Sequence, residues 1–419
     1  MNSRERVRKA LNHQETDRIP LDLGSTLVTG IQASTYAKLR QALGLKDETV
    51  KIADPYQMLG EVDLEVIEKL GIDTIGIWLP SNIFGFKNEN WKPWNLSDGT
   101  RVLVPGKFTN KRDPEGNLYL YPQGDRSFPP CAKMPKEGYY FDTLVRQEPL
   151  NERNLNPEDW ANQQFSLFSE ETLRYLEKKA EELYKNTELC IIGEFIDAGF
   201  GDISQVPGPA IKNPKGIRDP VKWITAHIDY PDYIKGIFEL QCEIALKNLK
   251  LAYEAVGNKI DVIYVSGTDF GTQNAPFISP DMYREFYKPF HRRINNWIHK
   301  HTSWKTFFHS CGSVFVFLDD FVEAGVDILN PVQLSAKDMD ATMLKEKYGD
   351  KLVFWGGGVD TQRTLPFGTP SEVSKEVQER CRIFGKGGGF VFNTIHNIQS
   401  KVPVENLIAM FQTVKEFTF

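Results

Sequence analysis

Eight short runs of apolar residues punctuate this chain, and most are continuously apolar rather than alternating with polar positions. They are Arg18–Leu23, Asp73–Leu79, Leu189–Ile196, Asp261–Ser266, Trp304–His309, Asp327–Asn330, Leu352–Trp355 and Gly389–Thr394. A strand whose two faces are both covered reads this way. Helical patterns separate most of the runs. Ser279-Pro280 opens one helix with proline in its first turn. Thr369-Pro370-Ser371-Glu372 combines a first-turn proline with capping-box spacing, and Gly385 closes that helix. The chain ends in a helix from about Val404 to Phe417. Repeated strand-then-helix units imply parallel strands joined by right-handed crossovers. Eight of them predict a closed (β/α)8 TIM barrel, with a doubly wound open sheet as the rival arrangement.

Two stretches fall outside the repeat. Residues 1–60 predict an N-terminal helical extension, with Val7, Ala10 and Leu11 on one helix face and a second helix around Ala33–Leu43. Residues 85–150 are rich in Gly, Pro, Asn and aromatics. The turn dipeptides Asp98-Gly99, Glu115-Gly116 and Gly124-Asp125 flank the short β runs Arg101–Val104 and Leu118–Tyr121. This pattern predicts a β-hairpin insertion near the barrel mouth within one domain spanning residues 1–419, serving as a lid or as surface decoration. The dense aromatics between 78 and 141 either stack on a planar ligand or pack the insertion.

Composition then narrows the class. The 419 residues are 41% apolar, 25% charged and 12% aromatic, an ordinary globular profile. A net charge of −6 gives no reason to expect nucleic acid as a partner. No apolar run approaches the ~18 residues of a membrane span. Five dispersed cysteines (131, 190, 242, 311 and 381) suit a reducing compartment, so a cytoplasmic protein is expected, and many barrels pair as homodimers.

In a barrel the chemistry lies where the strands end. His309-Ser310-Cys311-Gly312 follows the run Trp304–Phe308, and a period of two places imidazole and thiol on one face. Neutral imidazole and thiolate are ligands that zinc favours. Other strand ends carry Glu194 and Asp197, Asp269, Gln333, Asp360, and Asn393-Thr394-Ile395-His396-Asn397. His309, Cys311 and His396 are the candidate zinc ligands, leaving one position open for substrate. The alternative is a buried hydrogen-bonded pair plus a substrate-facing or core histidine. Glu194 and Asp269 are candidates to ligate, to orient a ligand histidine, or to accept a proton. His291, His299 and His301 read as a solvated helix face, and the glycines at 356–358 and 387–389 as tight turns.

From about Thr268 onward the chain resembles the uroporphyrinogen decarboxylase superfamily, in particular its branch of corrinoid-dependent methyltransferases. The resemblance rests on Ile278-Ser279-Pro280-Asp281-Met282-Tyr283-Arg284-Glu285-Phe286 with Pro289, then on His309-Ser310-Cys311-Gly312 and Ala324-Gly325-Val326-Asp327-Ile328-Leu329-Asn330. Gly356-Gly357-Gly358-Val359-Asp360 and Pro403-Val404-Glu405-Asn406 complete it, and Arg4-Glu5-Arg6-Val7 with Asp17-Arg18-Ile19-Pro20 extends it to the N-terminus. The resemblance implies a (β/α)8 barrel and a His-X-Cys metal motif at His309 and Cys311. It implies a third ligand, a cysteine in that branch, at the position held here by His396. Imidazole in place of thiolate leaves the site one unit more positive, which strengthens its pull on an oxygen substrate or a bound thiolate. The implied activity is zinc-dependent methyl transfer between a small methyl donor or acceptor (a thiol, methoxy or methylamine compound) and the corrinoid of a separate protein. The alternative is a metal-independent lyase of the decarboxylase kind. That branch grips its carboxylates with an Arg-Gln-Ala-Gly-Arg stretch, whereas Leu21 to Gly30 contains no arginine here. A barrel kept as a binding scaffold without turnover is the third possibility.

Overall fold

A computed structural model describes residues 1–46, 48–109, 111–150 and 155–418. Its centre is a seven-stranded parallel sheet of β1 (Thr74–Trp78), β2 (Cys190–Glu194), β3 (Val262–Ser266), β4 (Lys305–His309), β5 (Ile328–Asn330), β6 (Val353–Trp355) and β7 (Phe390–Val391), neighbouring one another in chain order. Helices connect the strands from β2 onward, among them Pro231–Val256, Lys288–His301, Ala341–Tyr348 and Pro370–Gly385, and Val404–Glu416 follows β7. The fold is α/β, and the curled sheet fits a TIM-like barrel.

The first predicted strand is reduced to a bridge. Leu21 pairs in parallel with Phe392 just beyond β7, and its carbonyl accepts from Asp73 N just before β1. The run 18–23 thus touches both edges of the sheet without forming a ladder. Pro20 has no N–H to donate, and the N–H of Leu21 goes to the Asp73 carboxylate (2.9 Å). Asp73 is fully buried and is gripped by Arg6 (2.6 Å) and Arg18 (2.7 Å), while Arg6 also holds Asp17 (2.7 Å). The N-terminal Arg and Asp-Arg motifs are therefore an ion network that fastens the chain start to the sheet. Two arginines thus offset the cost of burying this carboxylate away from water.

Helix α1 (Ser3–Leu11) opens with a capping box from Asn2 and Glu5. Its Val7, Ala10 and Leu11 join Cys190, Ile192, Val262, Tyr264, Phe307, Ile328, Val353, Trp355 and Val391 in one apolar cluster. These strand residues alternate along their strands, so they mark the inner face of the sheet, and α1 plugs one end of it. Continuing the alternation, Glu194 follows Ile192, His309 follows Phe307 and Asn330 follows Ile328 on the same face. The interior thus passes from apolar to polar at the C-terminal ends of the strands.

The stretch after β1 forms two antiparallel units. Lys92–Asn95 pairs with Arg101–Val104, which runs parallel to Val50–Asp54, and Leu118–Leu120, Ala132–Met134 and Asp142–Thr143 form the other. Phe84, Phe86, Phe108 and Phe141 are at most 1% exposed and pack edge-on or stacked on one another. These aromatics serve packing.

Candidate metal centre

β4 ends at His309, so Cys311 lies in the turn beyond it rather than in the strand. The two side chains still converge: Cys311 Sγ is 3.4 Å from His309 Nε2. His396, 85 residues later in the chain and past β7, packs its ring edge-on to His309 with centroids 5.4 Å apart. One donor atom from each of His309, Cys311 and His396 lies within 4.8 Å of the others.

Each residue of the His-Ser-Cys-Gly turn has a local reason. Ser310 N donates to Asn330 O (2.7 Å), and Ser310 Oγ accepts from Phe270 N (2.9 Å). Cys311 N donates to Asp269 Oδ1 (2.6 Å), and Gly312 N donates to Gln333 Oε1 (2.7 Å). The turn after β4 is thereby tied to the turns after β3 and β5.

The donor set fits zinc, and Asn330 supplies the strongest reason. Asn330 Nδ2 donates to Trp355 O (2.7 Å), which turns its Oδ1 toward His309 Nδ1 (2.6 Å). Nδ1 must therefore carry the proton, and Nε2 presents a lone pair to the cluster. Burial lowers His309 to about 4, against the opposing pull of Asn330, and burial followed by His309 lowers His396. Both imidazoles are thus neutral at physiological pH, as metal ligation requires. Neither ring nitrogen of His396 has a hydrogen-bond partner among the described residues. Burial and then Asp269 hold the Cys311 thiol up in the absence of a cation. A bound divalent ion reverses that preference. Asn330→Leu is expected to release the His309 ring and weaken zinc binding roughly 10- to 100-fold, the usual cost of losing the partner that orients a ligand histidine. Competition with a chromophoric chelator would measure it.

The predicted acids divide. Asp269 lies 3.8 Å from His309 Nε2 and holds the Cys311 backbone, and burial raises its pKa. Glu194 accepts from Leu27 N (2.8 Å), and burial pushes it up to about 8. Asp360 caps its own turn, accepting from Gln362 N (2.6 Å). His291 is not on a solvated face: it is fully buried and hydrogen-bonded to the Tyr283 hydroxyl (3.1 Å). The buried positions Phe290, His291, Ile294, Asn295 and Ile298 repeat at helical spacing, a signal that was present in the sequence. His299 pairs with Asp327 (2.7 Å), and His301 is exposed. Asn330, Tyr264 and Asp202 were not singled out by sequence reasoning. Their side chains acquire meaning only from neighbours on other strands.

Residues 214–417 match the uroporphyrinogen decarboxylase (URO-D) family. A uroporphyrinogen decarboxylase of Psychromonas ingrahamii is 32% identical over 80 residues, 19% of this chain; the match spans 22% of that relative's length. Among solved structures, a methyltransferase from Methanosarcina mazei aligns over 100% of this chain and 99% of its own, with a TM-score of 0.52 and 18% identity. At that identity the likeness is one of fold. No helix among the described residues is long and apolar enough to cross a membrane.

Proposed function

We propose that this protein is a zinc-dependent methyltransferase that moves a methyl group between a small thiol, methoxy or methylamine compound and the corrinoid of a partner protein. The observation that carries the reading is the convergence of His309, Cys311 and His396 within 4.8 Å, with the lone pair of His309 Nε2 aimed inward by Asn330. These three residues would hold the ion. Zinc would supply an open Lewis-acidic position, lowering the pKa of a thiol or polarising the heteroatom that leaves. Asp269 would keep Cys311 in place through its backbone. Glu194, near neutrality in its pKa, would hold or release a proton at its carboxyl oxygen during turnover. The chain would act as a cytoplasmic enzyme, and the corrinoid protein would dock over the strand ends beside the residues 85–150.

The family match also favours a second reading, a metal-independent decarboxylase acting on another carboxylated substrate. Against it, the segment Leu21 to Gly30 offers no arginine, and its Leu27 N–H is spent on the Glu194 carboxyl. Metal analysis of purified protein decides between them. Near-stoichiometric zinc is expected, together with a change in the cobalt spectrum of methylcobalamin or Co(I) cobalamin on adding an acceptor or donor. That change should disappear on chelation and return with zinc. Turnover of a carboxylated compound by fully metal-depleted protein would overturn the methyltransferase reading.

A further inference from the structure

Beside the metal triad the strand ends are acidic. Glu194, Asp197 and Asp202 are half-buried, and no arginine, lysine or histidine pairs with any of them among the described residues. Burial raises Glu194 to about 8, Asp197 to about 7 and Asp202 to about 6. Asp202 also feels Asp269, which touches the triad, so the acids and the triad border one space. The acids do not gather on a single point. Among the described residues, the cluster tight enough for a metal ion is the triad itself. A second metal ion is therefore a poor occupant of the acidic side.

Tyr264 gives an independent indication of a ligand. It stands on the inner face of β3, is 9% exposed, and its hydroxyl has no hydrogen-bond partner among the described residues. The hydroxyl is not closed off by the fold and opens onto accessible space, where a ligand can reach it. Gly267 leaves room for it: a Cβ there would sit 2.5 Å from the Tyr264 hydroxyl and 3.6 Å from Asp202 Oδ2. Phenol and carboxylate thus face the same small volume. Burial, then the charges of Glu194, Asp202, Asp269 and Cys311, holds the phenol protonated.

We infer that the substrate is a small organic cation, a methylated ammonium seated against Glu194, Asp202 and Tyr264 with a separate oxygen or sulfur donor directed at the metal triad. The inference rests on the methyltransferase reading and selects among its substrate classes. Carboxylates spread around a volume suit a bulky, diffuse cation, and they repel a polycarboxylate. A cation entering there ionises the acids and supplies the counter-charge that the fold itself leaves out. The separate donor is required because a quaternary nitrogen has no lone pair to offer a metal, so with this substrate zinc would anchor the molecule through that donor rather than polarise the leaving nitrogen.

The test compares choline with its uncharged isostere 3,3-dimethylbutan-1-ol by titration calorimetry, using the full chain at pH 8.5, with zinc content measured on the same samples. Choline is expected to bind at least tenfold more tightly than the alcohol. Glu194→Gln and Asp202→Asn should each weaken choline about tenfold and leave the alcohol unchanged, and Tyr264→Phe should weaken choline severalfold. Zinc content should not change in any of them. Equal binding of the two ligands, absent choline binding, or indifference of choline to Glu194→Gln with zinc retained would overturn the cation assignment while leaving zinc-dependent methyl transfer standing. Absent zinc would instead remove the reading beneath it.

Discussion

Cys311→Ala is expected to lose zinc and, with it, methyl transfer to or from cobalamin. Structural zinc sites with four protein ligands hold the ion with about 10–16 kcal/mol, which scales to roughly 3 kcal/mol for one protein ligand, more than a hundredfold in affinity. The thiolate should carry at least that share here, because it supplies the one formal negative charge in the triad. Truncation at 311 leaves the fold intact: the side chain is only partly buried, and its structural work is done by its backbone N–H, which alanine keeps. Metal analysis should therefore show zinc lost while the urea midpoint of the metal-free proteins stays unchanged. His396→Cys is the informative companion. It keeps three ligands and adds a second thiolate, so zinc should remain bound, but the ion becomes less electrophilic and the rate of methyl transfer should fall. Wild-type zinc content in Cys311→Ala would show that the ion, if present, sits elsewhere.

The sheet was legible because its strands are covered on both faces, which leaves continuous apolar runs with no alternation to misread. The run 18–23 looked equivalent and is not: the ladder fails at Pro20 and at Leu21, whose donor is claimed by an acid 52 residues away. His309 and Cys311 were legible from their spacing alone. His396 was legible as a third candidate ligand among the polar groups at the strand ends, and the resemblance then put it where that branch carries a cysteine. Asn330 lay inside a quoted motif without a role, since only the parallel register His309 to Asn330 shows that the two side chains meet. Tyr264 was hidden in an apolar run for a similar reason. An aromatic residue on a strand reads as core until the space around its hydroxyl is known.

Gly312→Ala is expected to cost more than any other single-methyl change in this region. At Gly312 φ is +89°, and an added Cβ would stand 2.4 Å from the carbonyl carbon of Gly271, 2.5 Å from its oxygen and 2.6 Å from Thr272 O. All three are backbone atoms, so no side chain can swing aside. The segments 269–272 and 310–313 are joined by the Asp269–Cys311 N, Phe270 N–Ser310 Oγ and Ser313 N–Thr272 O bonds, the last at 2.8 Å. Forcing them apart breaks this seam and swings Cys311 away from both histidines. Backbone strain and overpacking together suggest a loss of about 2–5 kcal/mol, with zinc lost as well. Gly387→Ala separates the two causes: φ is +72° there, and nothing lies within 4 Å of the added methyl. It should show the strain alone, about 1–3 kcal/mol, with zinc retained. Urea denaturation and metal analysis on the pair give the comparison. If Gly312→Ala proved no more costly than Gly387→Ala and kept its zinc, the close contact between the two turns would not be what positions the metal centre.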